Sequence, residues 1–426
     1  MYKMKDSNIE WIGEIPQDWI ITRLKYLISS PLQYGASETG VEYDEKLPRY
    51  IRITDITLDN QLKEENKLSL PYTIAQSYLL KDNDILFARS GATVGKSFIY
   101  KSKYGISAFA GYLIKASIKE TVSPDFIYYY TLGSHYDLWK DRVFTQATIQ
   151  NIGADKYSNL LISISSLSEQ QRIASFLDEK CTNIDYLISK LKKQTETLEE
   201  YKRSVITETV TKGLNPDAKM KDSGVQWIGN MPEHWKLIKG KYILKYISKP
   251  IRQTDGIITC FRDGEVTFRS NRREEGFTMA DKEIGYQGID IGDLVVHGMD
   301  GFAGAIGISD SRGKASPVLN VLDTMQNKRY IMYYLRSMAY NDVFLALATG
   351  IRVRSCDLRW NKLAELLYPI PPVEEQKQIV EYVDHIINCA DDIIFEKKQQ
   401  IKIIEEYKKS LIYEVVTGKK EIIKNI

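Results

Sequence analysis

Two pairs of short segments hold the side chains best suited to reading nucleic-acid bases. In the first half of the chain these are 89–96, RSGATVGK, and 146–151, QATIQN; in the second half they are 297–304, HGMDGFAG, and 349–355, TGIRVRS. Arginine can bridge guanine O6 and N7, glutamine or asparagine can bridge adenine N6 and N7, and glycine lets the backbone approach a phosphate. We therefore predict that these segments contact DNA. The candidate side chains are Arg89, Ser90, Gly91, Thr93, Lys96, Gln146, Thr148, Gln150, Asn151, His297, Asp300, Phe302, Arg352, Arg354 and Ser355.

A further basic stretch lies at 269–273, RSNRR, and adds Arg269, Asn271 and Arg272 to the DNA-binding candidates. Two glutamates follow it directly, and charged turns are usually solvated surface. Both interpretations of this stretch, DNA contact and plain surface, stay open at the level of sequence.

The motifs of an enzyme active site are missing from the sequence. Residues 91–97, GATVGKS, resemble a phosphate-binding loop, but three residues separate the glycines where that motif needs four, and a strand-like segment follows. The four histidines have no partners at metal-ligand or catalytic-triad spacing, and no methyltransferase N-P-P-Y tetrad occurs. We therefore expect a chain without a catalytic centre, metal or cofactor of its own.

The composition is that of a folded protein of more than one domain. The chain has 426 residues with a net charge of only +2, so the overall charge does not by itself indicate a nucleic-acid partner. The four cysteines lie far apart, and no signal peptide or long apolar run is present. These features favour a cytoplasmic protein with no membrane span.

An internal duplication is the most informative feature of the chain. Residues 4–27 match 220–243 at 11 of 24 positions, including both tryptophans of W-I-G-x-x-P-x-x-W. Residues 169–211 match 375–417 at 17 of 43 positions. The offset between the copies is 216 in the first match and 206 in the second, and the regions between them show little identity. Each copy therefore consists of constant, variable and constant parts.

The second constant part of each copy predicts a long helix. In the first copy Ser168 and Gln171 have the spacing of a capping box, and apolar residues then recur at alternating spacings of four and three. Helices of this length favour an antiparallel two-helix coiled coil; the alternative is that each helix packs only on its own domain. The predicted seam consists of Leu177, Ile184, Ile188, Leu191, Leu198, Val205, Val383, Ile387, Ile394, Ile401, Ile404 and Leu411.

The variable parts, at about 28–165 and 244–368, read as α+β domains, so the predicted fold class is α+β with a pseudo-twofold duplication. Strands are expected at 49–53, 84–88 and 293–296, and tyrosine-rich helices at 126–139 and 330–344, with the tyrosines in the core. The predicted domains are 1–166, a first long helix at 167–212, a linker and second domain at 213–371, and a second long helix with a tail at 372–426.

The chain resembles a specificity subunit of a type I restriction-modification enzyme over nearly its whole length. The resemblance rests on W-I-G-x-x-P-x-x-W at 11–19 and 227–235, on E-Q-x-x-I before each long helix, on KGLNP at 212–216 and on RSGATVG at 89–95. It implies two target recognition domains, each reading one half of a bipartite, asymmetric double-stranded DNA target, held apart by the antiparallel coiled coil.

The resemblance also implies the partners of the chain. These are two modification subunits, which bind the long helices, and two restriction subunits recruited by the complex. Methyl donor, ATP and magnesium would then bind the partners, and the chain itself would be non-catalytic. The alternative from another class is a coiled-coil scaffold whose globular ends bind proteins, and a third possibility is an autonomous nuclease or methyltransferase.

Overall fold

The structure is a computed structural model, and its contacts divide the chain into two compact units. The first unit contains residues 1–191 and 399–426, and the second contains residues 192–398. Within the described ranges, no helix combines the length and the apolar character needed to cross a membrane. The structure describes residues 2–57, 60–145, 151–272, 284–347 and 358–422.

Short strands and helices form the globular part of the first unit. Its strands are β1 (Met4–Asp6), β2 (Glu14–Pro16), β3 (Ile20–Arg23), β4 (Gln33–Tyr34), β5 (Val41–Glu42), β6 (Arg49–Ile51), β7 (Leu68–Ser69), β8 (Ile85–Ala88), β9 (Ser97–Ile99), β10 (Ser107–Phe109), β11 (Leu113–Ala116) and β12 (Leu161–Ile164). Its helices are α1 (Leu24–Leu27), α2 (Tyr72–Ala75), α3 (Pro124–Tyr130), α4 (Ser134–Thr145) and α5 (Ala154–Ser158), followed by the long helix α6 (Leu167–Lys212).

Two four-stranded sheets organise this unit. The first is antiparallel with the order β4-β11-β8-β9, and the second has the order β10-β6-β7-β5, with β10 parallel to β6. Strands β3 and β12 pair separately, and this pairing joins the N-terminal constant segment to the residues just before α6. The predicted strands at 49–53 and 84–88 are present in shorter form, as β6 and β8.

The tyrosine-rich segment of the first unit is core, as predicted, because Tyr129 and Tyr130 are buried. The prediction of one helix over 126–139 is wrong, since α3 and α4 are separated at 131–133. An ideal Cβ on Gly133 would lie 2.7 Å from the ring of His135. Glycine therefore gives this break the space that the buried imidazole needs.

The second unit repeats the plan of the first. Its strands are β13 (Met220–Asp222), β14 (Asn230–Pro232), β15 (Lys236–Lys239), β16 (Leu244–Tyr246), β17 (Ile258–Cys260), β18 (Val266–Phe268), β19 (Gln287–Ile289), β20 (Leu294–His297), β21 (Ile306–Ile308), β22 (Gly313–Ala315), β23 (Leu319–Thr324) and β24 (Leu367–Ile370). Its helices are α7 (Lys328–Tyr340), α8 (Val343–Ala346) and α9 (Trp360–Glu365), followed by the long helix α10 (Val373–Val416). The sheet β16-β23-β20-β21 corresponds to β4-β11-β8-β9, and the pair β15-β24 corresponds to β3-β12.

The tyrosines of the second unit are also core, because Tyr330, Tyr333 and Tyr334 on α7 are buried. The single helix predicted over 330–344 is wrong here too. Asp342, at the start of α8, has a φ of +55°, in the left-handed region, and this interrupts the helix after Tyr340.

The first long helix has a different N-cap residue from the one predicted. Ser166, not Ser168, is its N-cap residue, since Ser166 Oγ accepts a hydrogen bond from the backbone N–H of Glu169 at 3.3 Å. The capping box predicted from Ser168 and Gln171 is therefore wrong by two residues, because two serines at the strand end offer competing caps.

The long helices pair antiparallel. In the second unit, Lys202 on α6 forms an ion pair with Asp391 on α10, and Lys397 Nζ donates to Gln194 Oε1 at 2.7 Å. Going from Lys202 to Gln194 on α6 lowers the residue number, while going from Asp391 to Lys397 on α10 raises it. The two helices therefore run in opposite directions. In the first unit, Lys408 Nζ donates to Asp185 Oδ1 at 2.6 Å. The repeat offset of 206 relates Asp185 to Asp391 and Lys202 to Lys408, so the two units make the same interhelical contact.

The predicted seam residues differ in their burial. Beside half-buried Val205, the neighbouring Ile206 is only 2% exposed and takes the core position. This drift is expected when a helix with 3.6 residues per turn is compared with a 3.5-residue repeat. The buried seam residues are Leu177, Ile188, Leu191, Val383, Ile394 and Leu411. The half-buried ones are Ile184, Leu198, Val205, Ile387, Ile401 and Ile404.

Candidate nucleic-acid interface

The two candidate segments of the first unit lie side by side. Residues 89–96 connect β8 to β9 as the loop of a hairpin. Ser90 in this loop pairs with Asn151 as an isolated β-bridge, and the backbone N–H of Ile152 donates to the carbonyl of Arg89 at 2.8 Å. The other candidates of the second segment, Gln146, Thr148 and Gln150, lie outside the described residues.

Arg89 faces an aromatic residue that the sequence interpretation missed. Its Cζ lies 5.0 Å from the ring centroid of Tyr34 on β4. The Tyr34 hydroxyl accepts a hydrogen bond from the backbone N–H of Ala154 at 3.0 Å, and the residue is 42% exposed. No sequence pattern linked Tyr34 to Arg89, because 55 positions separate them and only the pairing of β4 and β8 with β11 brings them together.

Two other residues of the hairpin loop are held by the framework. An ideal Cβ on Gly95 would lie 2.2 Å from Lys140 Cδ, so this glycine lets the loop pack on α4. The Lys96 ammonium donates to the backbone carbonyl of Thr57. Gly91 has open space around its Cβ position and a φ of +81°, which places it, with Ser90 and Thr93, in the turn of the loop.

The second unit holds its candidate loop in the same way. Residues 298–305 connect β20 to β21, and the backbone N–H of Leu358 donates to the carbonyl of Gly298 at 2.8 Å. Leu358 is related to Ile152 by the repeat offset of 206, so this is the counterpart of the bond between Ile152 and Arg89. In both units, the segment after the tyrosine-rich helices therefore returns to the same hairpin. The candidates Arg352, Arg354 and Ser355 lie outside the described residues.

His297 stabilises the turn of its own loop. Its Nδ1 accepts hydrogen bonds from the backbone N–H groups of Met299 at 3.2 Å and Asp300 at 3.0 Å. Burial lowers the pKa of His297, with Asp300 opposing this shift, so the ring is neutral at physiological pH, as an acceptor Nδ1 requires. The Asp300 carboxylate pairs with Arg262 at 2.8 Å, and Phe302 packs half-buried against the core of the unit.

In the basic stretch at 269–273, Arg272 is paired with acidic residues, and Arg273 lies outside the described residues. Arg272 pairs with Asp263 at 2.5 Å and with Glu265 at 3.0 Å, and the hydrogen bond to Asp263 raises the pKa of its guanidinium. The Nδ2 of Asn271 donates to Thr267 Oγ1 at 2.8 Å, and the Nε of Arg269 donates to Thr259 Oγ1 at 3.3 Å. These contacts favour the surface interpretation over the DNA-contact interpretation for this stretch.

The constant segments form equivalent anchors in the two units. Trp19 Nε1 donates to Glu169 at 3.2 Å, and Trp235 Nε1 donates to Glu375 at 3.0 Å. The paired tryptophans and the E-Q motif were visible in the sequence as repeats, but their mutual contact was not. In each unit this hydrogen bond ties the N-terminal constant segment to the first turn of a long helix.

The glutamine of each E-Q motif fixes the start of the tyrosine-rich helix. Gln170 Oε1 accepts from the backbone N–H of Ser123 at 2.9 Å, and Gln376 Oε1 accepts from that of Asn327 at 2.9 Å. Ser123 and Asn327 are themselves the N-cap residues of α3 and α7. The long helices therefore position the helices from which the candidate segments continue.

Within the part of the chain that the structure describes, no group of three or more histidine, cysteine, aspartate or glutamate side chains has an arrangement that could hold a metal ion.

Comparisons with known proteins find similar DNA specificity subunits. The family model described as type I restriction modification DNA specificity domain matches residues 49–199. The MjaVIII type I restriction enzyme specificity subunit of Methanocaldococcus jannaschii is 24% identical over 95% of this chain and 93% of its own length. The StySPI type I restriction enzyme specificity subunit of Salmonella potsdam is 21% identical over 95% of this chain and 90% of its own length.

The fold is shared with a solved structure. A chain from a type I R-M system, solved to explain complex assembly and conformational transition, superposes with a TM-score of 0.67 at 13% identity. The match covers 95% of this chain and 99% of the other. The chain is thus similar over nearly its whole length to type I restriction enzyme specificity subunits, and residues 49–199 match their DNA specificity domain.

Proposed function

We propose that this chain is the DNA-recognition subunit of a type I restriction-modification complex, in which each unit reads one half of a bipartite target. The observation that carries this proposal is that one framework holds two different surfaces. The bonds from Ile152 to Arg89 and from Leu358 to Gly298 are equivalent, while the loops they hold differ in sequence. A repeated framework with divergent loops is what recognition of two unlike half-sites requires.

The partners are double-stranded DNA and the other subunits of the complex. The repeat supports two modification subunits, because apolar side chains are exposed at equivalent positions of the long helices. Leu187 and Ile393 are 46% and 43% exposed, and Tyr201 and Tyr407 are 49% and 55% exposed. Exposed apolar residues at two related places suit two copies of one partner. Two restriction subunits would join through this assembly.

The chemistry of methylation and cleavage belongs to the partners in this proposal. Methyl donor, ATP and magnesium would bind there, and this chain would be non-catalytic. A cytoplasmic location, expected from the cysteine spacing and the N-terminal sequence, stays a prediction.

Methylome sequencing tests the proposal. Cells that carry the complete system should show a bipartite methylated motif, and cells that lack only this chain should lose it. In vitro, the chain with its modification subunit should prefer duplexes containing that motif, with an affinity that falls as salt rises. An unchanged methylome after deletion would instead leave the protein-binding scaffold as the better interpretation.

A further inference from the structure

Arg89 lies at the end of strand β8, and its guanidinium is available to bind a ligand. Arg89 directly follows β8, and its backbone N–H donates to the carbonyl of Tyr112 at 3.0 Å. Its Nε is buried and hydrogen-bonds to none of the described residues, and none of them forms an ion pair with its guanidinium. The residue is half-buried beside two exposed aromatic residues, Tyr34 at 42% and Tyr112 at 63%. A partly desolvated cation with no partner among the described residues is costly for the folded chain unless something binds it.

The second unit shows that this pair of side chains is not required by the fold. Asp84 and Asp293 make the same turn, each accepting at 2.8 Å from the backbone N–H three residues before it. They are 209 positions apart, and the same offset relates Arg89 to Gly298. The bonds from Ile152 and Leu358 described above confirm this alignment.

The counterpart of Tyr34 follows from strand register. Tyr34 lies opposite Ile114 on β11, and the equivalent of Ile114 on β23 is Asn320. Extending the register of β16 and β23 by two residues places Ser248 opposite Asn320. The second unit therefore has glycine and serine where the first has arginine and tyrosine, yet it forms the same sheet.

We infer that Arg89, oriented by Tyr34, reads a guanine in the half-site bound by the first unit. This inference rests on the proposed function. A guanidinium can donate two parallel hydrogen bonds to guanine O6 and N7, and no other base pair edge offers that pair of acceptors. The Tyr34 ring lies against the cation and limits its rotation, while the bond from Ala154 holds the tyrosine itself. Tyr34 is thus a positioning residue, and Arg89 contacts the base.

The test uses the full chain in complex with its modification subunit. The methylated motif is first determined, and exchange of 244–368 identifies the half-site read by the first unit. Binding is then measured by fluorescence anisotropy, at several salt concentrations, on the cognate duplex, on duplexes with each guanine of that half-site changed to adenine, and on a scrambled duplex. In the wild type, one guanine change should weaken binding roughly 5- to 150-fold.

The variants have distinct expected results. R89A should bind the cognate duplex more weakly than wild type by about the factor that the guanine change costs the wild type. Changing that guanine should not weaken binding by R89A any further. R89K keeps a cation without the bidentate fork, so it should bind scrambled DNA normally and fail to discriminate at that position. Y34A should reduce discrimination at the same position, and Y34F, which keeps the ring, should retain it.

Arg142 offers a matched control in the same unit. Its Cζ lies 5.4 Å from the ring centroid of Trp11, but Glu10 neutralises it at 2.9 Å. R142A should therefore leave discrimination unchanged, and thermal unfolding of every variant checks that it is folded.

Several results would overturn the inference while leaving the proposed function intact. One is a first half-site without guanine. Another is R89A weakening every duplex equally and lowering the salt slope by about one, which identifies a phosphate contact. A third is unchanged binding by folded R89A. A wild-type complex that prefers no duplex would instead overturn the proposed function, and with it the inference.

Discussion

His135 is a buried ionisable group of the first unit that stacks on a long helix. It is 1% exposed, with the ring of Tyr130 at a centroid distance of 4.3 Å and the ring of Tyr413, on α10, stacked at 5.4 Å. Neither ring nitrogen hydrogen-bonds to any described residue. Burial lowers its pKa to about 3; the charge of Asp137 opposes this shift slightly, and that of Lys419 adds to it. The folded protein therefore keeps this ring neutral.

This burial predicts a loss of stability in acid. Unfolded histidine has a pKa of about 6.5, so between that pH and about pH 3 the unfolded chain binds a proton that the folded chain does not. The contribution of His135 is fully present above pH 6.5 and should fall by up to about 1.4 kcal/mol per pH unit below it. H135F keeps an aromatic ring between the tyrosines and has no proton to gain.

Urea unfolding at pH 7, 6 and 5 measures this contribution as the difference between wild type and variant. H135F should lose less stability than wild type as the pH falls. H385F, at a histidine that is exposed on α10, controls for the exchange of histidine for phenylalanine elsewhere in the chain. Identical slopes for H135F and wild type would contradict the proposed effect of burial.

The sequence identified candidate DNA-binding residues by their type, but it did not predict which side chains surround them. Arg89 and Arg272 were both DNA-binding candidates in the sequence, although the glutamates after 269–273 left that stretch open to a plain surface interpretation. The structure separates them, because strand pairing brings Tyr34 to Arg89 and brings Asp263 and Glu265 to Arg272. Contacts between distant strands depend on register, which no local pattern in this sequence specified.

At the scale of elements, the sequence predicted the long helices from their apolar periodicity but missed local features such as helix breaks and caps. The long helices and their pairing followed from an apolar repeat sustained over some forty residues. The helix interruptions at 131–133 and after Tyr340 could not be predicted from such a repeat, because each depends on one backbone conformation or one buried ring. The N-cap of α6 was also missed, because Ser166 and Ser168 are both residue types that can cap a helix, and only the hydrogen bond from Glu169 to Ser166 distinguishes them.

The ion pair between Lys202 and Asp391 tests the antiparallel register of the long helices. The Lys202 side chain is 16% exposed and also lies 3.3 Å from Glu199. K202E would place a carboxylate among acidic neighbours, so it should lower the free energy of unfolding by about 1 kcal/mol. D391K alone should also destabilise, and the double variant should recover part of the loss because it restores opposite charges.

A double-mutant cycle from urea unfolding measures that recovery. The coupling energy should be about 0.2 to 1 kcal/mol and should shrink in high salt, as expected for a pair near the surface. The same cycle on Asp185 and Lys408 should give a similar value, since the repeat makes the two pairs equivalent. Strictly additive effects in both cycles would contradict the register described here.

At the scale of the whole molecule, duplication separates stability from specificity. The tryptophan, glutamate and glutamine anchors recur in both units, whereas Arg89 and Tyr34 are replaced by Gly298 and Ser248. The constant parts can therefore stay unchanged while the variable parts change. The net charge of +2 does not report on recognition, because a local surface can differ in charge from the whole chain.

This separation predicts that recognition can be exchanged one half at a time. Replacing 244–368 by the equivalent region of another family member leaves α6, α10 and the anchors Trp235 and Glu375 in place, so the hybrid should fold and assemble. Its methylated motif should change in one half and keep the other, because the surface of the first unit is untouched. Methylome sequencing reads both halves at once, and replacing 28–165 instead is the reciprocal control, which should change the other half. If a single exchange altered both halves of the motif, the two units could not read their half-sites independently. The framework bonds that recur in both units would then influence sequence preference in addition to supporting the loops.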